Sequence, residues 1–201
     1  MVAMSRCDLV SEVFGGRIRD LVKWSKSNQD AEAAFPVYRD SSGHFSAGSN
    51  CYGNLVSCRM DFPNRLGDSR YVGSFHIHPP PIVPALHSQY GPLLPEDRTE
   101  WEGFDLALSS LDVSGDLSRG SEFACVGMRQ PDDRVRLVCF DYLSEFSPQV
   151  AEDIRLGLDA WRRAEYPPAG PGSYERYVDS VRRLREAVLS KLVNERCEAR
   201  V

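Results

Sequence analysis

The stretch "RYVGSFHIHPPP", residues 70–81, carries an apolar run into two histidines and then stops at a proline cluster. Its aromatic and β-branched residues predict a strand over 70–78, ended at Pro79, which has no amide hydrogen to give to a ladder. Residues two apart on a strand face the same side, so His76 and His78 can reach one point. The strand therefore sets the fold question and the chemical question together.

Upstream, Val10, Phe14, Ile18, Leu21 and Val22 recur at helical spacing, which predicts a helix between about Leu9 and Ser27, weakened or delayed by Gly15-Gly16. "AAFPVYRDSSGHFSAG" (33–48) reads as a hairpin turning at Asp40-Ser41-Ser42-Gly43, with Pro36 expected at an edge or bulge. "NLVSCRMDF" (54–62) is a further strand candidate. Downstream, residues 79–100 hold six prolines and no periodicity, a segment too long for a routine connection. A helix is expected around 110–118, followed by strands "EFACVGMR" (122–129) and "RVRLVCFDYL" (134–143) joined by a turn at "QPDD". Ser147-Pro148 then suits an N-cap and first helical position, with Val150, Ile154, Leu158 and Trp161 on one face. "EYPPAGPG" breaks that helix, and a second is expected from Ser173, striped by Tyr177, Val181, Leu184, Val188 and Leu192.

The 201 residues are most simply one domain with room for a sizeable core. A formal charge of −5 opposes nonspecific binding to nucleic acid or anionic membrane, both of which need a basic field. No apolar run approaches the roughly 20 residues of a membrane span. The N-terminal stretch lacks the basic-then-apolar design of an export signal, so a cytoplasmic location is expected. The six cysteines contain no CxxC pair and are expected to stay reduced, some as small buried hydrophobes.

Hydrolytic zinc takes three protein ligands and leaves a position for water, so two histidines call for a third ligand on a neighbouring element. "SSLD" supplies Asp112, with Ser109 three residues before it. "HIHP" followed by "SSLD" resembles the JAMM (MPN+) metalloprotease motif, a His-x-His-Pro, a spacer, then Ser-x-x-Asp. The resemblance spans about residues 10–145 and implies that His76, His78 and Asp112 bind Zn2+ and that Ser109 stabilises the tetrahedral intermediate. It further implies a general-base Glu upstream. Glu32, which is 44 residues before His76 and follows the predicted helix, is preferred over Glu12, which is 64 residues before it and lies in or before that helix. Zinc lowers the pKa of its bound water toward neutrality, a carboxylate can take that proton and pass it to the leaving amine, and a hydroxyl can stabilise the developing charge.

Two features depart from the family pattern. The interval from His78 to Asp112 is 34 residues, far more than the family commonly uses, and the Pro-rich segment is the excess. "AAFP" also replaces the Gly-rich stretch that commonly follows the family's Glu. The resemblance implies an α/β (α+β) fold of MPN/JAMM type, similar to cytidine deaminases: a mixed sheet flanked by helices. A metalloprotease domain over 1–146, with an insertion at about 79–100, would precede a helical C-terminal extension over 147–201.

For function, the resemblance implies an isopeptidase or processing peptidase cutting after the tail of a ubiquitin-like protein or its conjugate. Bacterial relatives occur beside ubiquitin-like, E1-like and E2-like proteins, antiphage operons included. A JAMM peptidase of a toxin or effector system is a second reading, and a non-catalytic MPN-like scaffold a third. The intact Glu, His, His and Asp set argues against the scaffold.

Overall fold

The computed structural model describes residues 5–28, 31–53, 58, 62–78, 110–129, 134–142, 148–164, 183–184 and 186–200. It is α+β: one mixed sheet with helices on both faces. Helix α1 (Arg6–Asp8) is capped by the Ser5 hydroxyl, widens into a π turn over Leu9–Val13, and continues as α2 (Phe14–Ser27). The two glycines expected to disturb this helix stand just after the π turn.

Among the described residues eight strands follow: β1 (Ala33–Arg39), β2 (Phe45–Ala47), β3 (Cys51–Tyr52), β4 (Arg65–Leu66), β5 (Ser69–His78), β6 (Phe123–Arg129), β7 (Arg134–Asp141) and β8 (Val193–Arg200). They pair in the order β2-β1-β5-β6-β7-β8, with β3 beside β1 and β4 beside β5. β5 and β6 run parallel, and the other pairs are antiparallel. Between the parallel strands the chain passes through α3 (Ser110–Arg119), and between β7 and β8 through α4 (Pro148–Ala164). Gly73 opens the parallel pair, and a Cβ there would stand 2.4 Å from the Phe123 carbonyl oxygen, so no larger residue fits without moving the strands.

Side-chain alternation divides the core between the two sheet faces. Phe35, Phe75, Ile77, Phe123, Cys125, Leu137 and Cys139 pack under the N-terminal helix residues Leu9, Val10, Phe14, Ile18 and Leu21. Phe35 bridges Phe14 and Phe75 at ring separations of 5.5 and 5.2 Å. The opposite face buries Ala124, Val126, Val138 and Phe140 against Val113 of α3, Ile154 of α4, and Val188 and Leu192. Each fully buried large side chain is worth about 1.5–3 kcal/mol, so neither face is dispensable.

Several expectations meet a different arrangement. The C-terminal segment is helical over α4, as expected, but does not end as a helix: after a helical turn over residues 186–189, Val193–Arg200 joins the sheet as β8, in register with all of β7. The apolar stripe through Val188 and Leu192 hid this, because its period said nothing about the alternating polar stretch "NERCEAR" that follows it. Pro36 lies in an inner strand, yet faces a gap: β2 ends opposite Val37 and β3 begins opposite Ala34. Its carbonyl accepts from Gly48 on that side (2.9 Å), so no ladder bond is missed, and a bulge follows between Val37 and Tyr38.

The cysteines are not reduced. Cys51 is bonded to Cys58 and Cys125 to Cys139, and Cys7 is disulfide-bonded as well. The physical reason for the second pair is direct, since Cys125 and Cys139 are register partners on β6 and β7. Among the described residues no helix is long and apolar enough to cross a membrane. The strand expected at 54–62 lies largely, and the Pro-rich segment 79–100 wholly, outside the described residues.

Candidate metal centre

The site forms at the C-terminal end of β5, on the face opposite the N-terminal helix. Phe75 and Ile77 enter the helix-side core, so the alternation sends His76 and His78 to the α3 side. Their Nε2 atoms converge to 3.0 Å. His76 is buried, and its Nδ1 has no hydrogen-bond partner among the described residues.

The register brings the carboxylate expected as base to the same place. Ala33 is opposite Ile77, so Glu32, one residue earlier, stands beside His78, with Glu32 Oε1 3.9 Å from His78 Nε2. Helix α3 covers this face through the buried Val113 and carries Asp112 in its first turn. The Asp112 charge acts on both Glu32 and His76.

Glu32 is pushed up to about 8, chiefly by burial and then by the Asp112 charge, against the partial relief of a hydrogen bond from the Cys58 amide. Burial also lowers the pKa of His76 despite the attraction of Asp112, so this imidazole is neutral and keeps a lone pair to offer. The pocket thus holds two convergent imidazole nitrogens and two carboxylates that repel one another in a dry setting. Among the described residues no group of three His, Cys, Asp or Glu is already drawn to one point. The chemistry of the donors nevertheless fits a divalent cation, which would satisfy both nitrogens and relieve the repulsion between Glu32 and Asp112.

Glu12, the alternative base, is exposed on the π turn Leu9–Val13, whose buried residues pack on the other face of the sheet. Ser109 lies outside the described residues.

Sequence reading missed a buried polar cluster next to the site. Asp116, one helical turn beyond Asp112, accepts hydrogen bonds from the hydroxyls of Tyr71 (3.1 Å), Ser121 (3.1 Å) and Tyr142 (3.5 Å). Burial, with a smaller contribution from Asp112, raises it to about 7. The cluster ties α3 to β5 and β7, and thereby fixes which turn of the helix presents Asp112. The four-residue spacing of Asp112 and Asp116 could have signalled it, since that spacing puts both on one helix face. No known protein family, curated protein or solved structure matches the chain.

Proposed function

We propose that this protein is a zinc-dependent peptidase of JAMM type that cuts after the C-terminal tail of a ubiquitin-like protein, releasing it from a conjugate or trimming its precursor. The observation that supports the proposal is the 3.0 Å approach of the His76 and His78 Nε2 atoms at the end of β5, with Glu32 3.9 Å from His78 and the Asp112 charge acting on Glu32 and His76. His76, His78 and Asp112 would hold the zinc, which when bound supplies a Lewis acid and makes water nucleophilic near neutral pH.

The chain's own residues do the rest. Glu32 takes a proton from the attacking water onto its carboxylate and returns it to the nitrogen of the leaving amine. Its carboxyl is conditioned for that exchange by burial, which makes it more basic than an exposed glutamate. The Ser109 hydroxyl, by the family pattern, faces the carbonyl oxygen as charge develops there. The neutral form of His76 keeps its Nε2 available as a donor to the metal.

The test is incubation with a panel of ubiquitin-like proteins carrying a peptide or a lysine-linked adduct at the C-terminus, with and without a zinc chelator. Cleavage at the tail that stops on chelation and returns with zinc is the expected result. An intact panel, from protein that has bound one zinc per chain, would overturn the substrate assignment. Failure to bind zinc at all would overturn the enzyme.

A further inference from the structure

The two disulfides whose sulfurs are both described differ in where they stand. Cys125–Cys139 lies inside the helix-side core, both residues buried, joining strands that are already paired over their whole length. Cys51–Cys58 is half-buried at the margin of the sheet and joins β3, only two residues long, to Cys58. Both Gly53, next to β3, and Cys58 reach Glu32. The Gly53 amide donates to the Glu32 carbonyl (2.9 Å), and the Cys58 amide donates to the Glu32 carboxylate. Cys51 itself is the register partner of Ala34, two residues along β1. The 51–58 link therefore encloses the carboxylate expected as general base, from its backbone and from its side chain at once.

We propose that Cys51–Cys58 is a thiol–disulfide exchange site whose closed form seats the Cys58 amide on the Glu32 carboxylate. The catalytic consequence rests on the peptidase reading above; the exchange chemistry and the seating of the amide do not. The reductant is a dithiol, small or protein-borne. One of its thiolates attacks a sulfur of the pair to give a mixed disulfide. Its second thiol then displaces the other bond, so that two electrons and two protons pass to Cys51 and Cys58 and the dithiol leaves as its own disulfide. Opening removes the covalent link between Cys58 and β3, which pairs with β1 at two residues. The buried pair is closed to the same reagent, because attack needs a path to a sulfur. Toward a dithiol, Cys51–Cys58 is therefore the member of this pair built to respond.

The experiment titrates the oxidised, zinc-loaded protein with a dithiol, traps thiols by alkylation and maps them by peptide mass spectrometry. Amide exchange at Cys58 is followed by NMR on the same samples. Expected are alkylation of Cys51 and Cys58 while Cys125 and Cys139 remain bonded, and exchange at the Cys58 amide faster by about tenfold, the loss of one hydrogen bond to a charged group. With a cleavable fusion, kcat falls by about the same factor while KM and zinc content hold, reoxidation restores it, and Cys51→Ser/Cys58→Ser is slow and indifferent to dithiol. Opening of both pairs at one dithiol concentration, or unchanged Cys58 exchange after the exposed pair opens, would overturn the proposal. So would a double variant as fast as the oxidised protein. Should no fusion be cut even by oxidised protein, the peptidase reading fails, while alkylation order and Cys58 exchange still decide the clamp.

Discussion

Two glutamates, one buried and one half-buried, lie against the same sheet, one beside each end of β5, and their surroundings are opposites. At the start of β6, Glu122 is held by the guanidinium groups of Arg39 and Arg70, with Arg6 3.8 Å away. Its backbone is also fixed, the amide donating to Val72 and the carbonyl accepting from Tyr142, both at 2.7 Å. Near the end of β5, Glu32 faces the His78 imidazole and the charge of a second carboxylate. A buried carboxylate ringed by cations is a fastener. One left beside another negative charge keeps its proton unless a positive charge joins it, and the metal proposed at the His76 end would be such a charge.

The contrast predicts opposite responses to the same chemical change. Glu32→Gln should lower turnover of a cleavable fusion by roughly 10²–10⁴-fold, the usual contribution of a positioned base, while zinc binding and melting temperature hold or rise. Glu122→Gln should leave turnover per folded molecule alone but cost about 1.5–3 kcal/mol in urea unfolding, because it takes the charged acceptor away from the Arg39 and Arg70 guanidinium groups. If Glu32→Gln unfolds the protein as readily as Glu122→Gln, the distinction collapses.

A third expectation concerns pH in the zinc-free protein. Asp116 rises from 3.8 to about 7 on folding and Glu32 from 4.5 to about 8. The folded state therefore holds these protons longer than the unfolded one. Stability from both groups is complete below about pH 4 and is lost as pH climbs through 7 to 8, by at most about 1.4 kcal/mol per pH unit and group. Denaturant melts across pH 4–8 should show the fall, Asp116→Asn should flatten its lower part, and zinc should remove the upper part. A flat profile in the zinc-free wild type would contradict the burial argument.

The smallest expected effect lies at the fastener end. Arg65 and Arg39 each stand opposite Arg70, a row of like charge across three strands. Arg65→Gln should stabilise by about half a kcal/mol at low ionic strength, and the gain should vanish in high salt. Stabilisation that survives salt would mean that Arg65 acts by packing.

Much of this was legible in the residues, for reasons that can be named. The period of "RYVGSFHIH" gave both the strand and the shared side of its histidines, because strand alternation is a local property. The Asp40–Gly43 turn was readable for the same reason: the Asp40 side chain accepts from the amides of Ser42 and His44, and Gly43 takes φ 90°. The family resemblance prefers Glu32 over Glu12, and the β1–β5 register puts Glu32 beside His78. What could not be read was set by partners distant in the chain. Cys125 and Cys139 are joined because β6 and β7 align, and no spacing rule announces that. The "NERCEAR" segment becomes a strand because β7 offers it an edge, against the helical stripe just before it. Asp116 was overlooked because its three hydroxyl partners come from three separate places in the sequence.

The late arrival of β8 has a consequence for biosynthesis. β7 is made about fifty residues ahead of its outer partner, an interval of roughly 3–10 seconds at ordinary elongation rates. Throughout that time the nascent chain presents a bare strand edge to the crowded surroundings of the ribosome. Arg134 and Arg136, spaced along that edge and later matched by Glu198 of β8, are charges of the kind that discourage a neighbouring nascent chain from pairing there first.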